Sequence, residues 1–180
     1  QIVINDKTDA FAHWVIAYCN GADYNMYGPI YEFIRTSKTW PSLESARQHS
    51  ESAVSLYSNN EASTEENQMW SIIYEATKKR FTNLDLREYA NYLEEALQHF
   101  HNKTAMIYAV EAESQMLQKP WKLWNQENME PTDEAKKVNR ILTEGLKKFP
   151  NDEWLCHLMI HYCEMGPKQQ FNYDILPVLE

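Results

Sequence analysis

Glycine is scarce in this chain, with four among 180 residues. Tight turns that need a positive φ are therefore few, which disfavours a meander of short strands. Cysteine is scarce too: three residues, at 19, 156 and 163, do not make a disulfide framework. Cys156 and Cys163 stand seven residues apart on one expected helix, which puts them about 10 Å apart along its axis, beyond disulfide reach. They are read as small core residues of a reducing, cytoplasmic compartment. Positive charge is in deficit, 17 Lys and Arg against 26 Asp and Glu for a net charge of −9. Nucleic acid and an anionic membrane surface both require a basic footprint, so neither is expected as a main partner. No run of about 18 apolar residues exists to span a bilayer, and no signal-peptide pattern is visible. The Asn102-Lys103-Thr104 sequon would matter only in a secreted protein. Phosphate-binding loops, nucleophile elbows and dinucleotide fingerprints are missing as well, and Cys19 has no activating base near it in sequence.

What is present is apolar material at helical spacing. Hydrophobic residues make up 43% of the chain and aromatics 13%, enough to bury a core at a length that suits one domain, 1–180. A nearly all-apolar helix is expected from Asp9 to Asn20, with Gly21 after it in the left-handed cap position. A loop rich in Tyr, Asn and Gly and a short segment around Pro29 to Arg35 follow. Helices are then expected from Ser42 to Tyr57, from a capping box made by Ser63 and Glu66 to Phe81, and from Asp85 to His101. In the last of these, Leu86, Tyr89, Ala90, Leu93, Ala96, Leu97 and Phe100 mark the buried face. Further helices are expected from Lys103 to Leu117, Thr132 to Phe149 and Asp152 to Met165, with a long irregular stretch at Lys119 to Pro131. No strand pattern competes, and the class is all-α.

The last helix is the most informative. Trp154, His157, His161 and Glu164 share one stripe, and Leu155, Cys156, Met159, Ile160 and Cys163 lie beside it, because residues three and four apart meet on one helical face. The second set is expected in the core and the first on a surface that holds a ligand. The i, i+4 spacing of His157 and His161 lets two imidazoles share a divalent metal ion, with Glu164 one turn on as a third ligand. Leu158 stands where a zincin would place its glutamate base. Alternatively, the two histidines hydrogen-bond neighbouring helices. No other cofactor is expected. Trp121 and Trp124, in the Lys119 to Pro131 stretch, either stack on a ligand or plug the loop.

A weak internal repeat runs through these helices. Ala96, Leu97 and Phe100 correspond to Gly145, Leu146 and Phe149, 49 residues on; without the 13 residues from Lys119 to Pro131 the offset is 36, near the roughly 34 residues of a helix-hairpin repeat. His13, Tyr18 and Cys19 likewise match His157, Tyr162 and Cys163.

With Leu146-Lys147-Lys148-Phe149-Pro150-Asn151 leading into a Trp-bearing helix, the chain resembles the tetratricopeptide-repeat superfamily. Within it, His13-Trp14-Val15-Ile16-Ala17-Tyr18 with Gly21 to Asn25 is similar to an HWGxAY-x-GPNYN segment of a largely uncharacterised microbial group. Pro120-Trp121-Lys122-Leu123-Trp124 is similar to that group's PWxLW loop, and Cys156 to Glu164 to its CHxYIHxxE helix. Departures occur at Val15 for glycine, at Met159 for tyrosine and at Ala22 to Asn25, which lacks the usual proline. The resemblance implies a right-handed α-solenoid of three to four antiparallel helix hairpins, and a chain that is a fragment or truncated relative of a longer array.

It also implies a concave groove lined by the first helix of each hairpin. The lining residues would be Ala10, His13, Ala17 and Asn20; then Ala105, Tyr108, Ala112 and Gln115; then Trp154, His157, His161 and Glu164, with Trp70 and Tyr74 contributing. The function expected is a protein- or peptide-interaction module, with His13, Tyr108, Trp154, His157, His161 and Glu164 as contacts and a basic or amide-bearing ligand. Lysines that would clamp a C-terminal carboxylate are missing from these positions. The alternatives are a metal-binding protein or metal-dependent enzyme using His157, His161 and Glu164, and a structural fragment that self-associates through uncapped repeat ends.

Overall fold

A computed structural model describes residues 9–21, 24–25, 42–58, 64–83, 85–100, 103–125 and 127–167. Among these, seven α-helices and no β-strand occur: α1 (Ala10–Cys19), α2 (Leu43–Ser58), α3 (Glu65–Asn83), α4 (Leu86–Leu97), α5 (Ala105–Met116), α6 (Asp133–Lys148) and α7 (Glu153–Glu164). The segment expected around Pro29 to Arg35 lies outside the described residues, as does Ser63. No helix is long and apolar enough to cross a membrane among the described residues.

The helices start where a side-chain oxygen takes up an orphan amide of the first turn. Asp9 accepts from the Ala12 N–H at 3.1 Å, Thr132 from Ala135 at 3.2 Å and Asp152 from Leu155 at 3.0 Å. At α3 the acceptor is Thr64, bonded to the Asn67 N–H at 3.1 Å, one residue later than the expected capping box. The end of α1 also differs from expectation. Asn20 closes it in ordinary right-handed geometry (φ −87°, ψ −2°), and Gly21 does not adopt the left-handed region. A Cβ at Gly21 would lie 2.4 Å from an Arg80 guanidinium nitrogen, so the glycine makes room for a buried cation. Arg80 is 3% exposed, and its guanidinium lies over the rings of Tyr18, Phe81 and Tyr89 at 5.1 to 5.7 Å. α4 gives way to a 3₁₀ turn at Gln98–Phe100 instead of continuing to His101.

By contacts the chain divides into two compact units, one holding α1 to α4 and the other α5 to α7 with Tyr24 and Asn25. In the first, α1 packs on α2 and α2 on α3, with a smaller contact between α1 and α3. Ala17, Leu43, Ala46 and Phe81 form its buried cluster, and the Trp14 indole N–H donates to the Thr77 hydroxyl at 2.9 Å. On α4, Leu86, Tyr89, Ala90, Leu93 and Leu97 are buried as the spacing predicts, with Ala96 only partly so.

In the second unit, α5 packs on α6, α6 on α7 and α5 on α7. Gly145 lets α6 approach α5, since a Cβ there would stand 3.0 Å from Tyr108 Cβ. The stretch before α6 is ordered. Leu123 O accepts from Thr132 N at 2.9 Å and Glu130 O from Asn125 N at 2.9 Å, while Trp121 and Met129 turn the chain with positive φ of 57° and 56°.

Candidate functional site

On α7 the two faces separate much as the spacing requires. Leu155, Cys156, Met159 and Cys163 are buried, joined by Leu158 and Tyr162, while Ile160 is half-buried, its flank being less well covered than expected. Opposite them, His157 and Glu164 are exposed and Trp154 and His161 half-buried. The His157 and His161 rings meet edge to face at 4.6 Å. His161 Nδ1 is 3.0 Å from a Glu164 carboxylate oxygen, and since a carboxylate only accepts, Nδ1–H is the donor. Tyr24 meets the same ring edge to face at 5.3 Å.

Tyr24 is 5% exposed where it meets this ring. The Asn25 carbonyl accepts from the Trp121 indole N–H at 3.2 Å. Trp121 stays 37% exposed beside this surface, whereas Trp124 is 2% exposed and tilts on Tyr162 at 4.7 Å. The two tryptophans of the loop therefore divide the roles that sequence left open: Trp124 is the plug and Trp121 is at the surface. Burial beside Trp124 pushes the Tyr162 hydroxyl up to about 12, so it stays protonated.

Glu164 holds His161 in place instead of standing as a third ligand beside the rings. Among the described residues no three His, Cys, Asp or Glu side chains come together as a set that could hold a metal ion.

The stripe implied for α5 is not a groove wall. Ala105, Tyr108, Ala112 and Gln115 are all buried, as is every residue of α5 except Met106. Tyr108 is 0% exposed; its hydroxyl accepts from Lys148 Nζ at 2.8 Å and its ring tilts on Phe149 at 6.3 Å. This enclosure is a correction to its reading as an open ligand contact. The physical reason is that α5 packs against both α6 and α7, so a polar hydroxyl facing the ligand by sequence is instead satisfied internally.

On α1, Ala17 is core as well. His13 is part-buried, with Nδ1 2.9 Å from Nδ1 of His49 on α2, a partner that sequence reasoning missed. The signal was available only as a spacing of 36 residues, close to the repeat length. Trp70 and Tyr74 stack at 5.5 Å within an aromatic array that also takes in Trp14, Phe11 and Tyr57. Tyr74 is 3% exposed, and this burial raises the pKa of its hydroxyl.

No family model matches the chain, and comparison with curated proteins and with solved structures finds no match.

Proposed function

We propose that the chain is a protein- or peptide-interaction module of tetratricopeptide type, with the outer stripe of α7 as its contact surface. The observation that carries this reading is the division of α7. Six of its residues are buried, yet Trp154, His157, His161 and Glu164 remain at least partly open on one stripe. Aromatic and histidine side chains on a rigid helix make efficient anchors, because little conformational entropy is lost when they are covered. His161 is pre-oriented by Glu164 and Tyr24, and the net charge of −9 favours a basic or amide-bearing ligand.

In this reading the helices pair as antiparallel hairpins of a right-handed solenoid, α7 being the first helix of its hairpin. The contact between α5 and α7 across α6 is what stacked repeats make. A cytoplasmic setting goes with it, where thiols stay reduced. The test is selection of short peptides from a random displayed library against the whole chain, followed by anisotropy titration of the best binder. Trp154→Ala with His161→Ala should weaken binding by about tenfold or more with helicity by circular dichroism unchanged. Peptides that bind this double variant as well as the parent would exclude the stripe as the contact surface.

A further inference from the structure

The imidazoles of His13 and His49 form a second constellation, independent of the α7 surface. They belong to two helices packed on each other, α1 and α2, and their ring centroids are 4.9 Å apart at an interplanar angle of 36°. Their Nδ1 atoms face each other at 2.9 Å. Backbone positions on both sides are anchored: Trp14, next to His13, is buried and bonded to Thr77, and Ala46 and Ala53, one turn either side of His49, are 0% exposed. The side chains are only partly covered, so solvent reaches them.

Two nitrogens at this distance require that one carry a proton and the other offer a lone pair. A cation can take the place of that shared proton. Imidazole nitrogens bind first-row divalent ions at about 2.0–2.1 Å, which at a tetrahedral angle sets the two nitrogens about 3.3 Å apart. The pair at 2.9 Å is therefore about 0.4 Å short of that separation. Oxygen-seeking Ca2+ and Mg2+ are unsuited to a nitrogen pair, whereas Cu2+ stands highest in affinity for it.

We infer that His13 and His49 form a two-imidazole chelate for a late first-row divalent cation, Cu2+ ahead of Zn2+, with water completing the coordination shell. On binding, the donor ring shifts its proton from Nδ1 to Nε2 through solvent, and both Nδ1 lone pairs point at the ion. The ion then ties α1 to α2 and stabilises the fold by mass action.

The test is a calorimetric titration of CuCl2, then ZnCl2, into the whole untagged chain in a weakly coordinating buffer. It is run beside His13→Gln, His49→Gln and a His157→Gln, His161→Gln double variant. One equivalent should bind, with affinity reduced by about tenfold or more in either single variant and retained in the double variant. Pulsed electron paramagnetic resonance of the Cu2+ complex in the double-variant background should report two imidazole nitrogens, a readout that does not depend on the single variants folding. Absence of binding, binding lost only with His157 and His161, or a single coordinated imidazole would each overturn the assignment.

Discussion

Helices α1 and α7 look alike in sequence, with His13, Tyr18 and Cys19 matching His157, Tyr162 and Cys163, yet equivalent residues meet different surroundings. Cys19 is exposed and Cys163 buried. Tyr18 is half-buried and Tyr162 buried. His13 is paired across to α2, whereas His157 is exposed beside His161 on its own helix. The residue after the histidine is treated alike, Trp14 in α1 and Leu158 in α7 both being buried. Among the described residues α7 packs on α5, α6 and Trp124, and α1 packs on α2 with a smaller contact to α3. A shared pattern therefore fixes one inward position, and the tertiary surroundings decide how wide the inward face becomes.

The largest effect that probes this comparison is truncation at the matched position. Trp14→Ala is expected to cost about 3–5 kcal/mol and Leu158→Ala about 2–5 kcal/mol in urea denaturation. The Trp14 variant also removes the indole N–H that the Thr77 hydroxyl accepts, leaving that hydroxyl its bond to the Ile73 carbonyl. A cost below about 1 kcal/mol at either position would show that it is not the anchor of its helix.

A smaller effect separates the two histidine arrangements by pH. Because the folded protein holds His49 below its ordinary pKa of 6.5, the unfolded chain takes up the proton more readily. Stability from the neutral ring is present above pH 6.5 and is lost as pH falls through the lower folded value. The denaturation midpoint of the wild type should thus fall more between pH 7.5 and 5 than that of His49→Gln. Asp9, Glu44, Arg47 and Glu51, the charged groups on and flanking α1 and α2, are common to both proteins and cancel in the difference. Equal slopes would mean that the pair does not oppose protonation.

The smallest perturbation is chemical. Iodoacetamide should alkylate Cys19 about tenfold or more faster than Cys156 and Cys163, since the thiolate is the nucleophile and access limits it. Burial also pushes the Cys156 thiol up. Equal rates at Cys19 and Cys163, read by mass spectrometry, would remove the contrast between the two helices.

Much of the architecture was legible in sequence because helix starts and apolar periodicity are local signals. Asp9, Thr132 and Asp152 cap helices that begin within a residue of where the pattern places them, and the buried face of α4 follows its spacing. The candidate site was legible in part. The stripe on α7 is where spacing puts it, but Tyr108 reads as equally available and is fully enclosed. Nothing local to α5 announces that helices cover it on several sides. Gly21 misleads for a related reason: a glycine after a helix suggests a backbone requirement, and here the requirement comes from Arg80, 59 residues away.

By itself, then, the sequence determined the all-helical class, most helix starts and the buried faces of α4 and α7, since these depend on caps and on a 3.6-residue period within one segment. Only the tertiary structure decided which outward residues stay open, that His13 meets His49, that Glu164 orients His161 and that Tyr108 belongs to Lys148. Apart from the one-turn Glu164 contact, those pairings join different helices, and their distances are set by packing that no single segment encodes.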